Sequence, residues 1–268
     1  MVVASVVMAA ALASCKGGDK VSTLGSSTTR STNTTTADSA GDSTPGASTT
    51  VKKTPTTLLK QTGTTAVSTK PNTDHLALPK SGEYTFRDTT SGGTNPGERD
   101  THFNFTVNGQ VVRVQQSQVG TLRPASYYED THRGDGLFLT TSVIAGSSCA
   151  WSPAAASLPQ SVIDGGTART DSKCSAKIGA ATYNFDLSID LAFKRLRTVT
   201  IGSTEYRCID ITRRRVFTNA DGTETVDSTD TYAFNLGMRI SVDEHVVAKS
   251  GSTTSDFRHK AVLTALPS

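Results

Sequence analysis

No apolar run in these 268 residues is long enough to cross a bilayer as a helix: the longest, Val2 to Ala13, is about a dozen residues where roughly 20 are needed. Aromatic residues are scarce, at one Trp, six Tyr and nine Phe, so aliphatic side chains must line most of any cavity. Charge of one sign is also lacking. The formal net charge is +3, and the excess sits before Leu76, where seven Lys/Arg face four Asp/Glu; from Leu76 onward there are twenty of each. A polyanion-binding module carries a net basic domain, so nucleic acid is excluded as a partner.

Signatures of chemistry are missing as well. There is no GxSxG, SxxK or GxGxxG in a strand–helix context, no HExxH and no CxxC. The five His residues (His75, His102, His132, His245 and His259) fall at no metal-ligand spacing. Asp186 and Asp190 share one strand face, as solvated strands routinely arrange. Asn219, Asp221, Asp227 and Asp230 do not follow the EF-hand spacing. No enzyme, no cofactor and no metal is expected.

What is present begins with Cys15. Leu12-Ala13-Ser14-Cys15 ends a run of apolar and small residues. It resembles the lipobox of bacterial lipoprotein signal peptides, in which the Cys is diacylated and becomes the mature N-terminus. The run has the length of a signal-peptide core, although no Lys or Arg precedes Cys15. Two acyl chains anchor stably where one does not. The resemblance implies a signal peptide over residues 1–14 and a palmitate-bearing Cys15 on the extracytoplasmic face of the cell membrane.

Residues 15–75 read as a tether. Half of Val21–Lys70 is Ser or Thr, and the segment has no aromatic residue. It cannot bury enough apolar area to offset its ordering entropy and is expected to be disordered. Such tethers resemble those of actinobacterial lipoproteins.

Residues 76–268 suffice for one sizeable core. They read as mainly β, a curved antiparallel sheet of about nine to eleven strands with little helix. Phe103, Phe105 and Val107 alternate with polar residues, and Asn108-Gly109 follows as a hairpin turn. Further strands are expected at Glu83–Asp88, Gln110–Gln116, Ser126–Thr131, Leu137–Ala145, Thr182–Phe193, Arg197–Ile201, Glu205–Phe217, Glu224–Phe234, Met238–Lys249 and Asp256–Leu266. Trp151–Val162, with two Pro and an Ala run, reads as a loop or short helix.

With Cys15 acylated, Cys149, Cys174 and Cys208 remain. A Cys149–Cys174 bridge would clamp Trp151–Val162 and contribute roughly 3 kcal/mol in the chain-entropy model; Cys174–Cys208 is the alternative. Strand alternation sends Arg213 and Arg215 to one face and Arg214 to the other. Lys194, Arg195 and Arg197 form a second basic cluster.

Tyr232–Val242, reading YAFNLGMRISV, resembles the last strands of LolA/LolB-type envelope carriers and LppX/LprG-type lipoproteins. The resemblance implies an open half-barrel with an apolar concave face, and binding of a lipid or other amphiphile there. Trp151 and Leu158 would then lie at the mouth, with Arg213 and Arg215 meeting phosphate head groups. A structural lipoprotein contacting an envelope protein or wall polymer is the competing expectation.

Overall fold

The computed structural model describes residues 75–93, 96–117, 126–144 and 146–267. The expected signal peptide, Cys15 and nearly all of the tether lie outside the described residues.

Twelve antiparallel strands follow one another: β1 (Gly82–Gly92), β2 (Gly97–Asn108), β3 (Val111–Gln116), β4 (Tyr127–Arg133), β5 (Gly136–Ile144), β6 (Ser147–Pro159), β7 (Thr167–Ile178), β8 (Ala181–Ile201), β9 (Thr204–Asn219), β10 (Gly222–Ala233), β11 (Met238–Ser250) and β12 (Thr253–Ala265). A one-turn helix, α1 (Gln160–Ile163), joins β6 to β7, and a 3-10 turn (Phe234–Leu236) joins β10 to β11. Each strand pairs with its sequence neighbours, and β1 pairs with β12, so the meander closes into a barrel. The closing register sets Phe86 opposite Leu263 and Asp88 opposite Ala261.

The expected open half-barrel is therefore corrected to a closed barrel. An open sheet leaves two rows of unpaired backbone donors and acceptors, and pairing the first strand with the last satisfies both. The uncovered apolar face expected of a half-barrel disappears with the edges. Among the described residues, Leu78 is the one large apolar side chain open to solvent.

Two local expectations also change. Trp151–Val162 is mostly strand: β6 runs through Trp151 to Pro159, with register shifts against β5 that absorb its irregular sequence. Ala155 and Ala156 are buried in the barrel wall, where small side chains fit. Thr182–Phe193 and Arg197–Ile201 are one strand of 21 residues, β8, with a bulge between Phe193 and Arg195. The bulge inserts a residue and bends the strand. β7 accompanies β8 only to Ala192, and β10 accompanies β9 only to Cys208. The tip of the β8–β9 hairpin thus outruns its neighbours. It packs back on the barrel: Val199, Ile201 and Cys208 join one apolar cluster with Tyr84, Phe103 and Leu263 of β1, β2 and β12.

The segment before β1 straps the same region. The Ala77 amide donates to the Phe234 carbonyl (2.9 Å), and the Tyr84 hydroxyl donates to the Lys80 carbonyl (2.9 Å). Gly237 has φ +63° and abuts the Ala77 carbonyl, so a Cβ there would collide with the strap.

Cys149 and Cys174 form a disulfide between β6 and β7, with Cα atoms 5.5 Å apart, and Cys208 is a buried free thiol. The outer faces carry cross-strand ion pairs, among them Arg87–Asp100 (2.6 Å), Arg113–Glu129 (2.8 Å) and Arg169–Asp190 (3.1 Å). That wall is unlike the apolar outer band of a membrane-spanning barrel.

Candidate functional site

A barrel of about eight strands is just filled by its own side chains, and diameter grows with strand number. Twelve strands enclose more space than apolar residues occupy here. One apolar cluster gathers Trp151, Leu158, Phe185, Ile209 and Ile211, and another gathers Phe86, Phe103, Phe105 and Ile240. Charged side chains occupy part of the remaining interior.

Arg213 and Arg215 enter this space from β9, while Arg214 between them reaches outward to Asp227 (3.1 Å). The register places Arg213 beside Leu191 and Ser228, and Arg215 beside Ile189 and Val226. Leu191, Ile189 and Val226 are all buried, so both guanidiniums stand in apolar company. Such burial is costly unless the charge is matched. Asp230, at 0% exposure, matches part of it: its carboxylate lies 2.9 Å from Arg213 Nη2, accepts from Arg239 Nη1 (3.2 Å) and accepts from the Ser228 hydroxyl (2.8 Å). Arg215 is served less well. Its Nη2 lies 3.6 Å from Glu224 Oε1, beyond a proper hydrogen bond. Burial, then the like charge of Arg213, lowers the Arg215 pKa. Burial pushes the Glu224 carboxyl up to about 7, against the pull of Arg215.

The three arginines of this cluster, Arg213, Arg215 and Arg239, border a cavity of ≈130 Å³. Its polar wall includes Arg213, Arg215, Arg239, Asp130, Tyr128 and Tyr232; its apolar wall includes Phe105, Val112, Val114, Leu137, Leu139 and Met238. Arg213 Nε and Glu224 Oε2 are buried without a hydrogen-bond partner. Burial raises the Asp130 carboxyl to about 6, with the Ser157 hydroxyl (3.2 Å) opposing the shift. His132, its pKa lowered by burial, lines this cavity and also a second hollow beside Gln160 and Ile163 of α1.

Elsewhere in the interior, His259 lies between Glu244 (3.0 Å) and Asp88 (3.5 Å), and the Thr101 hydroxyl donates to Asp88 (2.5 Å). Burial lowers the His259 pKa, but its contacts with Asp88 and Glu244 outweigh this and leave it raised. No group of three or more His, Cys, Asp or Glu among the described residues is placed to hold a metal ion.

Of the four expected ligand residues, the structure brings two together at the cavity, Arg213 and Arg215. Trp151 and Leu158 are core residues of the barrel wall, not the rim of a mouth, because the segment that carries them is a strand. Trp151 still touches the site indirectly: its indole N–H donates to the hydroxyl of Ser142 (3.0 Å), a cavity residue. Asp186 and Asp190 are solvated and paired with Lys173 (3.2 Å) and Arg169 (3.1 Å). The turn acids do not converge: Asn219 accepts from the amides of Asp221 and Gly222 (both 3.0 Å), Asp227 faces outward, and Asp230 faces the arginines. Arg195 and Arg197 both bond to buried Asp210 (2.8 and 2.9 Å). Sequence reading missed Asp130, Glu224 and Arg239, and weighed Asp230 only as a turn acid, not as the partner of the arginines. In Tyr232–Val242 the 3-10 turn ends at Gly237 in the left-handed region, so the Gly-turn pattern is present within a closed sheet.

The raised carboxyls give the fold a pH signature. Folded Glu224 retains a proton near pH 6 that its unfolded counterpart has released. Its stabilising contribution is full below about pH 4.5 and is lost as pH rises through about 7. Asp130 and His259 act in the same direction, and His132 opposes them near its unfolded pKa. Between pH 4.5 and 8, wild type should lose roughly 3 kcal/mol more unfolding free energy than Glu224→Gln. Urea midpoints across this range measure the difference, and parallel profiles would refute it.

No protein-family model matches the chain, and neither does any curated protein. Among solved structures, the chain is similar to the hypothetical lipoprotein YmcC from Escherichia coli (K12). That match has a TM-score of 0.41 and 12% identity, covering 72% of this chain and 89% of that one.

Proposed function

We propose that this protein is a lipid-anchored, extracytoplasmic lipoprotein whose barrel is a binding module rather than an enzyme. It holds a ligand with an acidic group, as an amphiphile carries, at the arginine-lined cavity. The observation that carries this reading is the cavity wall. A buried charge cluster is often no more stabilising than a well-packed apolar core of the same volume. Spending three arginines on a lumen that leucines could fill is explained by an anionic ligand. The Leu12–Cys15 motif and the Ser/Thr-rich tether support the location.

The second reading, a structural lipoprotein that contacts a wall polymer, has its own support. Lys194, Arg195, Arg197, Arg258 and Lys260 border a polar surface hollow of ≈450 Å³.

Two measurements test the proposal. In cell fractionation, wild type should partition with membranes and Cys15→Ala should not; a variant that stays in the membrane fraction removes the anchor. Native mass spectrometry of the barrel purified from cells should show a co-purifying acidic amphiphile. A ligand-free spectrum, together with binding of wall polymer that is lost when Arg258 and Lys260 are neutralised, would favour the second reading.

A further inference from the structure

The binding reading leaves open what the cavity accepts, and its dimensions and unmatched atoms narrow the choice. An apolar cavity of about 150 Å³ admits benzene, so ≈130 Å³ suits a ligand of roughly that size and not a long acyl chain. Chemically the space has two sides. One is apolar, formed by Val112, Val114, Leu137 and Leu139. The other presents Arg213, whose side chain is 9% exposed and whose Nε is buried with no acceptor, and Arg215, whose contact with Glu224 is long at 3.6 Å. Asp230 is already shared between Arg213 and Arg239, so it cannot supply the missing acceptor to both remaining donors.

We propose that the cavity is a carboxylate site, in which one carboxylate accepts from the Arg213 and Arg215 guanidiniums that line it while a short alkyl or aromatic body fills the apolar side. This inference rests on the binding reading and specifies it. The group is held as a charge-assisted pair with two guanidiniums, a geometry that planar carboxylates match well. Glu224 is the internal competitor. Its Oε2 is buried without a partner and its Oε1 stands off from Arg215, so an incoming carboxylate replaces a poor contact with a better one. A small free acid and the head of a long-chain acid share this chemistry. The cavity volume favours the small acid, because the tail of a long one would have to leave through the barrel wall or end.

The test is calorimetric titration of the intact protein with benzoate, benzamide and palmitate, with Trp151 emission as a second signal through its Ser142 contact. Benzoate should bind, and benzamide should bind at least about tenfold more weakly, as expected for loss of charge-assisted hydrogen bonds. At pH 8, where Glu224 has lost its proton, Glu224→Gln should tighten benzoate binding because it removes the competitor for Arg215. Adding Arg215→Gln to Glu224→Gln should then abolish the gain, with no buried carboxylate left stranded in either variant. A merely structural Arg215 would give no such opposite pair of effects. Equal binding of benzoate and benzamide, or Glu224→Gln without effect on benzoate, overturns the carboxylate site. If palmitate binds while benzoate does not, the amphiphile reading stands and this inference falls. If none of the three binds, both fall.

Discussion

Replacing Asp230 with Ala should lower the unfolding free energy by about 3–5 kcal/mol, the range for removing one partner of a buried charge pair. Asp230 is fully buried and meets Arg213, Arg239 and the Ser228 hydroxyl at once. Its removal leaves two guanidiniums at 9% and 13% exposure without their common counter-charge. Asp210 provides the internal comparison. It is equally buried and also holds two arginines, but Arg195 is 41% exposed and can turn to water once released. Asp210→Ala should therefore cost less than Asp230→Ala. A triple change of Arg213→Met, Asp230→Leu and Arg239→Met should recover much of the loss, because apolar side chains can replace a buried ion cluster. Denaturant midpoints for the four proteins decide the matter. An Asp230→Ala loss below about 1 kcal/mol would mean that the interior arginines reach solvent.

The alternation that marks strands also marked the arginines, and it carried more than was taken from it. Val226, Ser228, Asp230 and Tyr232 share one phase on β10, as do Val242, Glu244 and Val246 on β11. An acid in the same phase as buried aliphatics is the sequence trace of an interior charge, and Arg213 and Arg215 required such partners. Most strands were legible because period-2 patterning and turn residues are local. β6 was not, because Pro153 and the Ala run lack strand propensity and are held by pairing with β5. Closure of the barrel was the least legible feature. It depends on the register of Phe86 with Leu263, a contact between the two ends of the domain that no local pattern encodes. Cavity size was equally hidden, since it depends on how twelve strands share the lumen.

Loss of the disulfide should open one side of this barrel before the rest. Cys149→Ala/Cys174→Ala removes a crosslink of 25 residues, worth roughly 3 kcal/mol in the chain-entropy model. The structure adds a local expectation. Between β6 and β7 a single residue pair, Ser152 and Lys173, is in ladder register, whereas β7 and β8 pair continuously from Thr167 to Ile178. Side chains span the β6–β7 seam instead: the Ser172 hydroxyl donates to the Pro153 carbonyl (2.6 Å), the Ser147 hydroxyl donates to the Lys177 carbonyl, and the disulfide joins the strands between them. A seam held by few backbone hydrogen bonds has little to fall back on when its covalent link is cut. Cys208 cannot replace the link: the double variant leaves it no partner thiol in the barrel, and burial pushes its own thiol up to about 12, away from the reactive thiolate. Hydrogen exchange of the double variant should show amides of β6 and β7 losing protection well before those of the β8–β9 hairpin, at a temperature where wild type protects both. Protection that falls equally in all strands would mean that the bridge acts on the unfolded chain alone and that the seam closes without it.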